Sequence, residues 1–317
     1  MADPLLESLA TTGARYPRTT HTIRTILDRS PMFLRGQISL LVNDRADQFW
    51  PEAERLITLA EAIGGSPAHS LIEYTVVYLK EQIRFLQTKE YAHSDFESAR
   101  REVYDNPEVM EKFYLEGLML THAFWPIHLD IHKFFRDEFV ARVPDAGTGA
   151  EFGFGHGLYL HDVLKARPGT HARGYDISEY SKAYAEKLLR HGGIAADRFE
   201  LGFADVRQPL PARHGEFRWA IFAEIMEHIP DPLASLRFLR ACMAPGAPVF
   251  ITTVLNSNAI DHLYLFTHTD QVDAMLREAG FEIVAHRALK VADYSTAKDP
   301  SVDVVYVCEP REPAGRP

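Results

Sequence analysis

The chain has 317 residues, 46% of them hydrophobic and 25% charged, which is ordinary globular composition with length for one large domain or two average ones. Forty-four acidic against 34 basic side chains leave a net charge of −10, which argues against binding through neutralised phosphates and gives no reason to dock on an anionic membrane. Cys242 and Cys308 form no close pair, residues 1–10 lack a signal-peptide core, and no run reaches the roughly 18 apolar residues of a membrane span, so a cytoplasmic enzyme is the default expectation.

The chain changes character near residue 145. Before it, apolar residues recur at helical spacing. Ser66-Pro67 and Asn106-Pro107-Glu108 read as helix starts, each with proline at the first helical position. From Pro67 to about Lys89, Leu71, Ile72, Val76, Leu79, Ile83 and Leu86 form an apolar stripe, while Tyr74, Tyr78 and Phe85 read as core. A second helical pattern runs from Pro107 towards Arg142, with a kink expected at Pro126. Residues 1–143 are therefore predicted to be an all-helical domain serving as a substrate-selecting cap, a homodimerisation element or a packing extension.

After Pro144 short apolar runs alternate with helical stretches: 150–154, 172–175, 199–203, 219–223, 248–252, 282–285 and 302–308. This pattern predicts an α/β domain over 144–309, an open, mostly parallel sheet with helices on both faces. The last two runs have no helix between them and fit an antiparallel hairpin at the sheet edge. Residues 310–317 read as a loose polar tail.

The first strand runs into Glu151-Phe152-Gly153-Phe154-Gly155-His156-Gly157, and a helix follows from Leu158. A glycine turn at such a junction lets backbone approach a ligand and aims helix N–H groups at it, although many such turns only connect. Asp176 ends the next strand 19 residues after Gly157, the distance at which an acid bonds ribose hydroxyls in dinucleotide-type folds. Asp205 ends the third strand beside Phe203, an acid for an adenine amino group with an apolar neighbour to cover the ring. A nicotinamide dehydrogenase is the competing reading, but its G-x-G-x-x-G would place the third glycine one residue later.

These three strand endings resemble those of the class I, Rossmann-like S-adenosylmethionine-dependent methyltransferases. The resemblance covers about residues 147–309. It implies a seven-stranded sheet of order 3-2-1-4-5-7-6 with strand 7 antiparallel. It also implies that Glu151, Gly153, Gly155 and Gly157 border the methionine moiety, that Asp176 holds the ribose, and that Asp205 and Phe203 meet the adenine, with Glu224 at the cofactor's reactive end.

The fourth strand ends in Glu224-Ile225-Met226-Glu227-His228-Ile229-Pro230-Asp231-Pro232, and the fifth is followed by Asn258-Ala259-Ile260-Asp261-His262-Leu263-Tyr264. Glutamate and histidine here can be structural, with Asp231-Pro232 starting the next helix. E-x-x-E-H resembles the ubiquinone-pathway O-methyltransferases and, with the D-H segment, the methyltransferases that modify the terminal ribose of small RNAs. That resemblance implies a divalent metal (Mg, Mn, Zn or Fe) on Glu224, Glu227, His228 and His262. Without a metal, His228 or His262 could act as general base, because unperturbed imidazole titrates near neutrality.

His128 and His132 lie four apart on one helical face, a spacing that ligates metal or, more often, belongs to satisfied buried histidines. Trp125, His128 and His132, with Tyr264, are expected to line the substrate pocket. The acidic balance and the lack of a basic, aromatic-interleaved patch argue against a nucleic-acid partner. The expected function is metal-assisted O-methylation of a small hydroxylated or carboxylated metabolite or a short peptide end. N- or C-methylation, or a non-catalytic cofactor-binding module acting through the helical half, are the alternatives.

Overall fold

A computed structural model describes residues 3–29, 32–88, 92–93, 95–208, 214–257, 259–290 and 301–311. The helical half contributes α1 (Pro4–Ala10), α2 (Pro17–Arg29), α3 (Met32–Asp44), α4 (Ala46–Ala62), α5 (Pro67–Thr88), α6 (Phe96–Ala99), α7 (Pro107–Val109), α8 (Leu115–Phe124) and α9 (Pro126–Phe134). Five-residue π-helical turns follow α6 (Arg100–Tyr104), α7 (Met110–Tyr114) and α9 (Phe135–Phe139). Such wide turns are rare and collect at functional sites. The Asn106 side chain accepts from Glu108 N at 3.0 Å, capping α7 ahead of Pro107. Trp125 adopts an extended conformation between α8 and α9, so the expected kink is a break just before Pro126.

The α/β half runs β1 (Gly147–Phe152), α10 (Leu158–Ala166), β2 (Thr170–Asp176), α11 (Glu179–His191), β3 (Phe199–Phe203), β4 (Ala220–Ala223), α12 (Pro232–Cys242), β5 (Val249–Leu255), α13 (Thr269–Glu278), β6 (Phe281–Lys290) and β7 (Val302–Pro310). The sheet has the order β3-β2-β1-β4-β5-β7-β6, parallel except that β7 pairs antiparallel with both β5 and β6. This is the predicted architecture. β5 is buried at all seven positions, as a strand covered on both faces requires, whereas β6 leaves most side chains partly or fully exposed at the edge. β7 reaches Pro310, one residue into the expected tail; residues 312–317 lie outside those described.

One core fills the sheet face under α12 and α13, with Phe152, Phe222, Ile251, Leu236 and Leu276. On the other face, α10 and α11 are joined by Ile131, Phe135 and Phe139 from the end of the helical half. A third core lies among the helices (Ile23, Trp50, Leu56, Leu120) and takes Leu158 and Leu188 from α10 and α11. The helical half is thus built into the α/β half and stands over the carboxyl ends of the strands. The stripe expected on α5 is only partly inward. Ile83 and Leu86 are 55% and 58% exposed, and the buried face runs through Leu71, Thr75 and Phe85. Among the described residues no helix is long and apolar enough to cross a membrane.

Candidate active site

β1 ends in a turn where Gly153, Gly155 and Gly157 all have positive φ, a region that penalises any side chain. Their surroundings separate their tasks. A Cβ on Gly153 would meet Ile225 at 2.1 Å, and one on Gly157 would meet Ala185 of α11 at 2.8 Å, whereas one on Gly155 would meet nothing within 4 Å. Gly155 is therefore the point of the turn open to a ligand. Gly157, expected at the cofactor, instead lets α10 approach α11. Asp176 binds the turn into shape: Gly155 N donates to its Oδ2 at 2.9 Å and Ser178 N to its Oδ1 at 2.9 Å. Each oxygen keeps a second lone pair, so the carboxylate can still accept ribose hydroxyls. Glu151 Oε2 accepts from Leu160 N at 3.1 Å, and burial pushes its carboxyl well above the usual range.

The third strand departs from expectation. Asp205 is held by Arg207 through Nε at 3.0 Å and Nη2 at 2.7 Å, and Arg207 also pairs with Glu97 and stacks 3.6 Å over Phe96. The carboxylate expected to meet adenine thus has its own cation. Phe203, expected to cover the adenine ring, is 58% exposed, lies off the cavity wall and carries Lys182 Nζ over its ring instead.

At the tips of β4 and β5 the structure brings Glu227, His228 and His262 together, with one ligating atom of each within 4.8 Å of the others. Two backbone contacts set the tautomers. His228 Nδ1 donates to Asp261 O at 3.1 Å and His262 Nδ1 to Ser257 O at 3.3 Å, so each ring keeps its lone pair on Nε2. Burial and the neighbouring His228 push His262 down to about 3, which keeps it neutral. Glu227 is fully buried; Thr253 Oγ1 donates to its Oε2 at 2.7 Å, but Oε1 has no hydrogen-bond partner and lies 3.9 Å from His228 Nε2. Burial and the adjacent Glu224 raise the Glu227 carboxyl well above its usual range. A buried acid oxygen without a donor, beside two imidazole lone pairs held by carbonyls, fits a divalent cation. Glu224, expected as a fourth ligand, lies outside this trio; at φ +52° it accepts from Thr252 Oγ1 at 2.6 Å and lines the cavity.

Behind His228, Asp261 of the D-H segment meets two tyrosines that no sequence pattern marked. Asp261 Oδ2 accepts from Tyr104 Oη at 2.7 Å and Tyr114 Oη at 3.1 Å, and lies 3.6 Å from His228 Nδ1. Each tyrosine is the last residue of a π turn, so the helical half reaches down to brace the reaction rim.

Glycine turn, rim and helical half enclose one cavity of about 300 Å³, walled also by Tyr74, Tyr78, His122, Trp125, His128, His156 and Asp303. Tyr74 and Tyr78, expected as core, belong to this wall. Trp125 and His128 do line it, but His132 does not. His132 is fully buried between Asp162 (Nε2 to Oδ2, 2.7 Å) and Glu52 (Nδ1 to Oε1, 3.1 Å), and Arg55 bridges the same two carboxylates. One ligating atom each of Glu52, His132 and Asp162 lies within 4.8 Å of the others, but Arg55 and Arg136 already pair with the two carboxylates, so the set reads as a buried ion cluster. Tyr264 is also off the wall; its ring packs on Phe266 at 4.7 Å and its N donates to Glu227 O.

The family described as "Methyltransferase domain" matches residues 130–286. The Ubiquinone biosynthesis O-methyltransferase of Ralstonia nicotianae is 28% identical over 180 residues, covering 54% of this chain and 71% of that protein. The protein of the same name from Pseudomonas aeruginosa is 25% identical over 228 residues, covering 62% and 94%. Among solved structures, an O-methyltransferase family protein from Burkholderia thailandensis superposes with a TM-score of 0.54 at 12% identity over 78% of this chain and 72% of that one, a likeness of fold. With the sheet order and the family match in agreement, this chain is an S-adenosylmethionine-dependent methyltransferase of Rossmann-like fold.

Proposed function

We propose that the enzyme methylates an oxygen of a small hydroxylated or carboxylated molecule, assisted by a divalent cation (Mg, Mn, Zn or Fe) on Glu227, His228 and His262. The observation that carries this reading is the meeting of those three side chains at the tips of β4 and β5, where His228 and His262 line the cavity that also holds the glycine turn. The names of the curated relatives, O-methyltransferases, support it. A cation held there makes a bound hydroxyl more acidic and fixes its orientation, and S-adenosylmethionine supplies a methyl group on cationic sulfur. The protein's part is positioning. The Gly155 backbone and Asp176 receive the nucleoside end, and the helical half supplies the facing wall of the cavity.

Calorimetry with S-adenosylmethionine, with and without EDTA, followed by turnover on catechols and hydroxy acids, tests the proposal. Cofactor binding is expected to survive EDTA, while methyl transfer is lost and returns with added metal. Binding without product on the whole panel would favour a non-catalytic module. Asp176→Ala is expected to weaken cofactor binding by about 1–3 kcal/mol, since ribose hydroxyls lose a buried acceptor; unchanged affinity would refute the ribose assignment.

A second reading needs no cation. His228 takes the acceptor's proton on Nε2, with Asp261 supporting the resulting imidazolium from 3.6 Å. Transfer insensitive to EDTA, with Asp261→Asn lowering kcat about tenfold or more, would select it.

A further inference from the structure

The ionisable side chains of the cavity wall, histidines aside, are all acids or tyrosines. Glu151, Asp176, Asp205, Glu224, Asp261 and Asp303 line it, and among the described residues no lysine or arginine does. The nearby cations are spent: Arg55 and Arg136 on Glu52 and Asp162, behind His132, and Arg207 on Asp205 and Glu97.

The wall built around the α8–α9 break is polar without being charged. Trp125 packs against Phe33, Tyr74 and Tyr78, with ring centroids 4.8–5.9 Å apart, and its Nε1–H has no partner. His122 Nδ1 is likewise buried and unpartnered. Thr121 Oγ1 spends its proton on Leu118 O at 2.6 Å, so its 2.6 Å bond to His128 Nδ1 takes the imidazole proton and leaves the lone pair on His128 Nε2. Burial pushes His128 down to about 4 and His122 well below its ordinary value. This wall therefore offers an indole N–H and an imidazole lone pair, and no positive charge.

We infer that Trp125, His122 and His128 form an uncharged polar subsite that takes a neutral hydrogen-bonding function of the methyl acceptor (an amide, carbonyl, ether or hydroxyl), and that the cavity discriminates against acceptors bearing a carboxylate or phosphate. The inference rests on the methyl-transfer reading above and narrows its hydroxylated-or-carboxylated class. A buried indole N–H without an acceptor is costly, and a ligand oxygen relieves it. An anion in the same place would give up its hydration against a wall that, among the described residues, supplies no lysine or arginine to pair with it.

The test uses the full chain saturated with S-adenosylhomocysteine and two probes differing in one function, protocatechuic acid and its primary amide, titrated calorimetrically at neutral pH. The amide is expected to bind at least about tenfold more tightly than the carboxylate. Trp125→Phe keeps a ring and removes the N–H. It is expected to cut amide affinity about threefold to tenfold, leaving carboxylate and S-adenosylhomocysteine affinities unchanged. Should that variant not fold, the wild-type ratio alone decides. Carboxylate binding as tight as amide binding, a ratio unmoved by Trp125→Phe, or no binding of either probe to the S-adenosylhomocysteine complex overturns the subsite. Failure of S-adenosylhomocysteine itself to bind overturns the methyl-transfer reading instead.

Discussion

Replacing Asp162 by alanine is expected to cost about 3–5 kcal/mol of folding stability, the penalty for removing one partner from a buried ion cluster. Asp162 accepts from Arg55 at 2.8 and 3.0 Å, from His132 at 2.7 Å and from His161 at 2.8 Å. Its loss leaves the Arg55 charge and a fully buried imidazolium to share Glu52 alone. The cluster ties α4 and α9 to α10, so the helical half loosens first. Its pH dependence follows from the shifts. The two carboxylates raise His132 above the ordinary histidine value, while His132 and Arg55 hold Glu52 and Asp162 below theirs, against the opposing effect of burial in each case. The His132 contribution is complete below the unfolded histidine pKa of about 6.5 and fades as pH rises through its raised folded value. The carboxylate contribution is complete above the unfolded value of about 4 and fades as pH falls. Wild-type stability from this cluster should thus be flat across roughly pH 4 to 6.5 and decline on either side. Denaturant titrations of wild type and Asp162→Ala across that span decide the matter. A variant within about 1 kcal/mol of wild type, or one with the same pH profile, contradicts the clasp.

That clasp shows where sequence reasoning ran out. His128 and His132 share a helix face by spacing, yet one lines the cavity and the other is sealed behind it. The difference comes from Glu52 and Asp162, on elements that nothing near His132 in the chain announces. The strands and their order were legible because each buried strand is a short apolar run between glycine turns and capped helices. Glu227, His228 and His262 were legible because strand tips in a parallel sheet share a rim. Phe203 was not, since strand alternation fixes which side a residue takes only once the neighbouring register is known; Phe203 pairs with Asp176 but points away from the cavity. Tyr104, Tyr114 and Asp303 were invisible for a related reason. Two tyrosines come from wide helical turns and the acid from the strand inserted last into the sheet, so only the tertiary fold brings them to the rim.

Glu227→Ala is expected to abolish stoichiometric metal binding and lower methyl transfer at least about a hundredfold, with S-adenosylmethionine affinity within about twofold of wild type. The selectivity comes from the division between its side chain and its backbone. The Glu227 carbonyl accepts from Leu263 N at 2.7 Å and Tyr264 N at 2.9 Å, and these bonds hold the loop carrying His262 against the β4 tip whatever side chain stands at 227. The carboxyl group has only Thr253 as donor and does not line the cavity beside the glycine turn. Removing it therefore strips an oxygen from the ligand set without releasing the loop or touching Gly155 and Asp176. Equilibrium dialysis against Mn²⁺ or Zn²⁺, paired with cofactor calorimetry, separates the outcomes. Joint loss of metal and cofactor binding would make Glu227 a structural residue. Metal retained at full stoichiometry would mean that two imidazoles suffice or that the cation sits elsewhere, and the trio would then be a buried polar contact between two strand tips.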